Sequence, residues 1–577
     1  MHKQRKALSF SALAVSLALL VTACGGAGKE NQNSTNASTT VAQATATSAP
    51  ADPFEKYEKP VELTACRVLV PSFMKFDEGE NENNNWWTRT LQEQLGIKLN
   101  FAWTAPNWGD PLEQKINVAM ATDDLPDIIP IYTSYFMKLA KAGKLADLTD
   151  AYNKYASPYL KEVMALEDSA GYKAGVVNGK LYGLGDAGGL KSSIQMVWLR
   201  EDWLKKMNLQ PPKTFDELKK IAKAFVENDP DRNGKNDTTG LTAHKLLFSG
   251  TGDMHGFFNM FNAYPDTWIE KDGKLVYGGI QPEIKDALKE LAQWYKEGLL
   301  AKDFAIKDTN KEIVQDVASG KTGMIIGGDR FPNGGSGRDF KKNFPDADWI
   351  CVPMPSRDGK PVKVRTAPKV GDFFMINAKA KNPEALIKMA NLYLQCGSLD
   401  NQPKWLTTNE HNTTKGGNPS FWNMPVRISD PRVEWASAQK TRDAVKANDP
   451  SKLTTTGQKQ MFDQMKSWTT EGKNGKQFDL NWSIYKIFWF EGGAELSDKT
   501  IKAGNVMVNR NYGYETDAMA KNGTSWKNKY EEHYIKAIVS GNVDQEFDNF
   551  VKYFNANGGE TAVKEINEWY AERNKKK

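Results

Sequence analysis

Between residues 61 and 132 strand and helix signals alternate, and this alternation constrains the fold more than any other feature of the chain. Residues 61–70 read as a strand and 86–95 as a helix closed by Gly96. Residues 97–103 read as a second strand, 111–121 as a helix opening behind Asp110 with Pro111 in its first turn, and 127–132 as a third strand. Such β-α-β-α-β order requires a mostly parallel, right-handed sheet covered by helices, with ligands bound beyond the carboxyl ends of its strands. The stretch from about residue 53 to 577 is too long for one core, so two lobes of ordinary domain size are expected.

Later segments are more helical. Residues 282–297 place Ile284, Leu288, Leu291 and Tyr295 on one face and stop at Gly298. A helix capped by Asn382-Pro383 carries Leu386, Met389, Ala390 and Tyr393. Near the end Val543, Phe547, Phe550, Val551 and Phe554 repeat at helical spacing before Gly558-Gly559, and Val563, Ile566 and Trp569 mark a last helix. These stripes read as core, and no internal repeat of fixed period is present.

The N-terminus reads as an export signal. Lys3, Arg5 and Lys6 precede an apolar run over residues 7–21, shorter than the roughly 20 residues of a membrane-spanning helix. Leu20-Val21-Thr22-Ala23-Cys24 resembles the bacterial lipobox, which implies acylation of Cys24 and anchoring to the outer face of the cell membrane, since several acyl chains hold durably. Residues 25–50 are almost entirely Gly, Ala, Ser, Thr, Asn and Gln and read as a disordered tether. In the whole chain 76 Lys and Arg face 71 Asp and Glu, and three of those bases leave with residues 1–23. The near-neutral remainder argues against a nucleic-acid partner, and Lys575-Lys576-Lys577 reads as a solvated tail. Cys66, Cys351 and Cys396 form an odd set without C-x-x-C spacing, compatible with one disulfide of unspecified pairing.

Asp229-Pro230-Asp231-Arg232-Asn233-Gly234-Lys235-Asn236-Asp237 is the sharpest local motif. Oxygen donors fall at loop positions 1, 3, 5 and 9, glycine at 6, and Lys235 at 7 offers its backbone carbonyl, as in an EF-hand-type calcium loop. Position 12 is Gly240, so the bidentate Glu of a true EF-hand is missing. Asx-rich turns use the same residue types, but four correctly phased oxygens exceed what a turn needs. The loop follows a helix opened by the Thr214-x-x-Glu217 capping box, so a structural calcium is expected to lock a lobe.

Catalytic signatures are sparse. The five histidines, His2, His244, His255, His411 and His533, include no H-E-x-x-H, and no G-x-S-x-G occurs. Residues 183–188 match a dinucleotide glycine pattern, but 192–199 behind it reads as a strand where a phosphate-binding helix would be needed. A glycosidase carboxylate pair is not singled out among 71 acids. Aromatics say more: 17 Trp, 19 Tyr and 26 Phe offer flat faces to sugar rings. Trp268, Trp405 and Trp422 stand in loop-like contexts, while Trp203 and Trp294 read as helical core residues.

In ordered pieces from about residue 60 onward the chain resembles the family 1 extracellular solute-binding proteins, within them the long lipoprotein branch for polysaccharide fragments. The markers are Gly179-Lys180-Leu181-Tyr182-Gly183, Arg200-Glu201-Asp202-Trp203-Leu204, Pro212-x-Thr214-x-Asp216-Glu217-Leu218 and the 229–237 loop. Further markers are Trp268 with Asp272-Gly273-Lys274, Glu297-Gly298-Leu299, Ser319-Gly320-Lys321-x-x-Met324, Lys381-Asn382-Pro383-Glu384 and Asn567-Glu568-Trp569-Tyr570. Gly185 stands where the family often has proline, and Asn208 where it often has glycine. The resemblance implies two α/β lobes joined by chain crossings, one of residues 55–190 plus 322–377 and the other of 191–321 plus 378–577. It also implies a monomeric, non-enzymatic subunit that closes on an oligosaccharide and delivers it to the permease of an ABC transporter. Trp268, Arg200 and Asp372 are the implied ligand contacts, followed by Trp86, Trp198, Trp405 and Trp422, with an Arg200–Asp372 structural ion pair as the competing reading. Should the sugar be a uronate, Arg200, Arg330 and Arg365 are the candidates for its carboxylate. The reading from another class is a surface-anchored glycosidase or polysaccharide lyase.

Overall fold

The structure, a computed structural model, describes residues 51–69, 76–106, 110–307, 311–366, 370–398, 403 and 423–574. The export signal, Cys24, the tether, Trp405, Trp422 and the lysine tail lie outside the described residues. Residues 50–577 form one compact unit.

Along the chain come β1 (Val61–Leu69), α1 (Trp86–Leu95), β2 (Ile97–Pro106), α2 (Asp110–Ala121), β3 (Ile128–Tyr132), α3 (Pro158–Ala174) and β4 (Leu184–Ala187). A second series follows: β5 (Gln195–Arg200), α4 (Phe215–Glu227), β6 (Thr239–Leu241), the hairpin of β7 (Trp268–Lys271) and β8 (Lys274–Tyr277), α5 (Glu283–Glu297), β9 (Thr322–Gly328) and β10 (Trp349–Val352). The chain returns through β11 (Val364–Thr366) to β12 (Val370–Ile376) and α6 (Ala385–Gly397). It closes with α7 (Val433–Ala447), α8 (Phe478–Phe488), β13 (Val506–Val508), α9 (Asp517–Ser540), α10 (Val543–Ala556) and α11 (Gly559–Asn574).

Local chemistry sets these ends. The Asn85 side chain accepts the amides of Trp87 and Thr88 to start α1, and Gly96 at φ 70° stops it. Thr214 and Glu217 form the expected capping box of α4. The first sheet runs β2-β1-β3-β12-β4, with β1 parallel to β2 and β3 as expected and β12 antiparallel to both neighbours. The second runs β10-β5-β9-β6, with β5 antiparallel to β9 and β10.

Strand pairing corrects the expected lobe boundaries. Thr322–Gly328, assigned from sequence to the first lobe, pairs between β5 and β6 in the second sheet. Helix α6, assigned to the second lobe, buries Leu386, Met389 and Ala390 against Leu63, Leu95 and Leu160 of the first. By strand pairing and packing the first lobe takes the described residues of 51–187, 370–398 and 423–428, and the second those of 195–352 with most of 433–574. Register and burial decide this, and neither is a local property of the chain. The two departures from the family pattern have local reasons. A Cβ at Gly185 would stand 2.3 Å from Val370 Cγ1, so β4 packs with no side chain there, and Asn208 adopts φ 55°, tolerated by Asn almost as by glycine. The three described cysteines are free, so the possible disulfide among them is absent.

Candidate functional site between the lobes

Two chain crossings lie side by side. The first leaves β4 through 188–194. Another, at 429–432, meets it where the Ser429 amide donates to Asp186 Oδ1 at 2.9 Å. Helix α3 braces that second crossing, with Tyr159 donating to Asp430 at 2.9 Å and Arg432 pairing with Glu162 at 2.6 Å. A later segment reaches back as well: Tyr512 is buried in the first-lobe core beneath the Arg573 guanidinium, and Tyr514 stacks on Trp569 at 4.5 Å. Trp569, expected to be plain core, packs against the cores of both lobes.

The carboxyl ends of β1 and β4 and the start of β12 gather charge at the first-lobe edge. Arg427 donates to Asp372 at 2.9 Å. Burial, with Asp372 adding, pushes the Asp186 carboxyl up to about 7 against the Ser429 amide and Arg427. Burial likewise lifts Glu167 to about 6; its Oε1 accepts the Leu190 amide of the first crossing at 3.3 Å. On β1, the Arg67 guanidinium carbon stands over the Phe101 ring, 3.8 Å from its centroid, and Nη2 donates to the Asn423 carbonyl. Trp86 opens α1 half-buried, edge-on to Trp87 at 4.7 Å.

Across the crossing, Lys191 sits 4.4 Å above the Trp435 ring, and burial pulls its pKa down to about 8. Arg330 pairs with Glu434 on α7. Deeper in this lobe His255 bridges two carboxylates, Asp253 at 2.7 Å and Asp266 at 3.0 Å, and Arg365 reaches Asp266 at 3.1 Å. Burial works against the imidazolium, but the two carboxylates outweigh it and the His255 pKa is raised.

The structure separates the residues that the sequence groups. Arg200 is held by Asp202 through two 2.9 Å hydrogen bonds and by the Gly320 carbonyl at 2.6 Å, and it stacks on Trp203 at 4.2 Å. It forms a structural ion pair, with Asp202 and not with Asp372, whose own partner is Arg427. Trp198 is fully buried and donates to the Gly328 carbonyl at 3.0 Å, a core role. Trp268 is 5 % exposed and tilts onto Tyr277 at 5.4 Å. Of the expected contacts, Asp372 and Trp86 stand on the first-lobe edge. Sequence reading missed Arg67, Arg427, Asp186 and the Lys191–Trp435 pair; isolated charges at strand ends were the available signal.

In the 229–237 loop, the Asn233 side-chain Nδ2 donates to Asp231 and Asp237, both at 2.9 Å, the Gly234 backbone amide donates to Asp229 at 3.0 Å, and Lys321 pairs with Asp237 at 2.8 Å. Burial, with Asp229 adding, raises the Asp231 carboxyl. Among the described residues no three His, Cys, Asp or Glu are drawn together as a metal cage. The donors present are all oxygens, which suits a hard cation. Position 12 gives nothing, because Gly240 lies inside β6, where a Cβ would stand 2.7 Å from the Leu299 carbonyl.

Lipoprotein LipO of Bacillus subtilis is 32% identical over 242 residues, 41% of this chain and 45% of LipO. The polygalacturonan/rhamnogalacturonan-binding protein YtcQ of the same organism is 34% identical over 222 residues, 37% of this chain and 41% of YtcQ. The fructooligosaccharide ABC transporter substrate-binding protein FusA of Streptococcus pneumoniae is 28% identical over 270 residues, 44% of this chain and 47% of FusA. The chain thus spans less than half the length of these relatives. The FusA structure with kestose superposes at a TM-score of 0.56 and 18% identity, covering 90% of this chain and 100% of that one, and an EF-hand mutant of FusA superposes at 0.54. The sequence model of bacterial extracellular solute-binding proteins matches residues 85–413, more than half of the 577-residue chain, and the protein belongs to that family.

Proposed function

We propose that this protein is the substrate-binding lipoprotein of an ABC importer, held to the outer face of the cell membrane through Cys24, and that it captures an oligosaccharide between its lobes without breaking a bond. The observation that carries the reading is the 429–432 crossing bonded through Ser429 to Asp186 at the end of β4, where the 188–194 crossing leaves, flanked by charged and aromatic side chains from both lobes. A chain that passes repeatedly between two compact sheets is built for hinge closure, and the closed form is what a permease reads. The names of YtcQ and FusA, a polysaccharide-binding protein and an oligosaccharide transporter subunit, support the ligand class. Ligand at a hundred times its Kd stabilises the folded state by about 2.7 kcal/mol, so a panel of oligosaccharides should include one that raises the unfolding temperature by several degrees. Prolonged incubation that yields cleavage products would instead make the protein a glycosidase or lyase.

Calcium belongs to the same proposal. Asp229, Asp231, Asn233, Asp237 and the Lys235 carbonyl would hold it, and its charge would offset the burial and the neighbouring Asp229 that together raise the Asp231 carboxyl. Chelation is expected to lower the unfolding temperature and calcium to restore it; an unchanged midpoint removes the metal from the account.

A further inference from the structure

Resting on that reading, we infer that Arg67 is a carboxylate-recognition residue and that the captured oligosaccharide carries hexuronate units. Three arginines are the obvious candidates for an acidic sugar, and all three are occupied. Arg200 is held by Asp202, Arg330 by Glu434, and Arg365 by Asp266 and the Thr267 hydroxyl. Arg67 differs from each. It is 3 % exposed, yet its Nε and Nη1 have no hydrogen-bond partner, and only Nη2 is used, on a backbone carbonyl.

A guanidinium buried without a counter-ion is costly, and a fold retains one where something else supplies the charge. Arg67 stands near the carboxyl end of β1, the end at which such sheets bind their ligands. The Phe101 ring under the guanidinium carbon holds the head group in place by its face, and Nε and Nη1 stay without partners. The charge felt most strongly after burial is that of Arg427, which repels; Glu82 attracts more weakly, and together with burial this pulls the Arg67 pKa down to about 9. A planar carboxylate offers two acceptors spaced to match the fork and one negative charge to offset that of the guanidinium. Neutral sugar hydroxyls would satisfy the donors and leave the charge uncompensated.

The test is calorimetric binding of the calcium-loaded, lipid-free protein to oligogalacturonates, to their methyl esters, and to neutral fructo-, xylo- and manno-oligosaccharides. The acid form should bind, its methyl ester at least about a hundredfold more weakly, and R67Q should lose the acid form by a similar factor. R67K keeps the charge but not the fork and should recover only part. Equal binding of acid and ester, or an unchanged affinity in R67Q, overturns the inference, and because the ester comparison uses the native protein it does not depend on the variant folding. Binding of neutral sugars alone also overturns it while leaving the transporter reading intact; binding of no sugar removes both.

Discussion

Arg67 in the first lobe and Arg200 in the second are close counterparts. Each is 3 % exposed, each stands at or near the end of a strand, and each guanidinium stacks on an aromatic ring within about 4 Å of its centroid. Arg200 spends its donors on Asp202 and Gly320, whereas Arg67 keeps two nitrogens unpaired. The difference separates structure from recognition. A fully satisfied buried cation ties its own lobe together, and an unsatisfied one in a sheet of the same architecture is a place where a partner is missing.

That contrast predicts opposite signs for similar substitutions. Arg200→Met leaves Asp202 with a lone charge at the edge of the core and is expected to cost about 3 kcal/mol, the largest effect here, read from urea unfolding of the second lobe. Arg67→Leu removes an uncompensated charge and puts a methyl-rich side chain on the face shared by Leu63 and Ala65, so it is expected to stabilise by about 1 kcal/mol or more. Loss of stability in both variants would erase the distinction between the two arginines.

The contrast also marks what a linear sequence discloses. The βαβαβ opening, the cap at Thr214 and the stops at Gly96 and Gly298 are decided within a few residues of chain, and all were legible. The stripe of α6 was legible too, but its lobe was not, because Leu386 and Met389 suit either core and only the packing against Leu63 and Leu160 chooses. The site fared less well for the same reason. Arg200 and Trp198 carry the right chemistry, but Asp202, Gly320 and Gly328 already occupy their polar atoms. Arg67 looked like an ordinary strand residue, and its missing partner is a fact of three dimensions.

A smaller effect is expected from Asp186, the acid at the meeting of the crossings. Its folded pKa, about 7, lies above an unfolded value near 3.9, so the unfolded chain releases its proton first as pH rises. Stability tied to this group is therefore full below about pH 4 and is lost between there and about pH 7. Asp186→Asn should flatten that part of the pH–stability profile and raise the midpoint at neutral pH, at the expense of nothing but one acceptor for the Ser429 amide, which the amide oxygen of Asn can replace. His255 slopes the profile in the same direction, since its pKa is also raised, so the Asp186 contribution must be read as the difference between variant and parent.

The smallest effect tests the contrast at the surface. Lys321 pairs with Asp237 in the 229–237 loop, but about half of its side chain is exposed, and pairs of that kind add little to folding. Lys321→Ala should leave the calcium-free unfolding midpoint where it is. The same ammonium competes with a divalent cation for the Asp237 oxygens, so its removal should tighten calcium binding severalfold in a chelator-buffered titration. A paired cation in the core thus holds the fold, an unpaired one is the proposed ligand contact, and an exposed one beside the proposed calcium loop should tune the affinity for that ion. Weaker calcium binding in Lys321→Ala would mean that the lysine shapes the loop instead of competing for it, and the ordering of these three cations by solvent access would no longer stand.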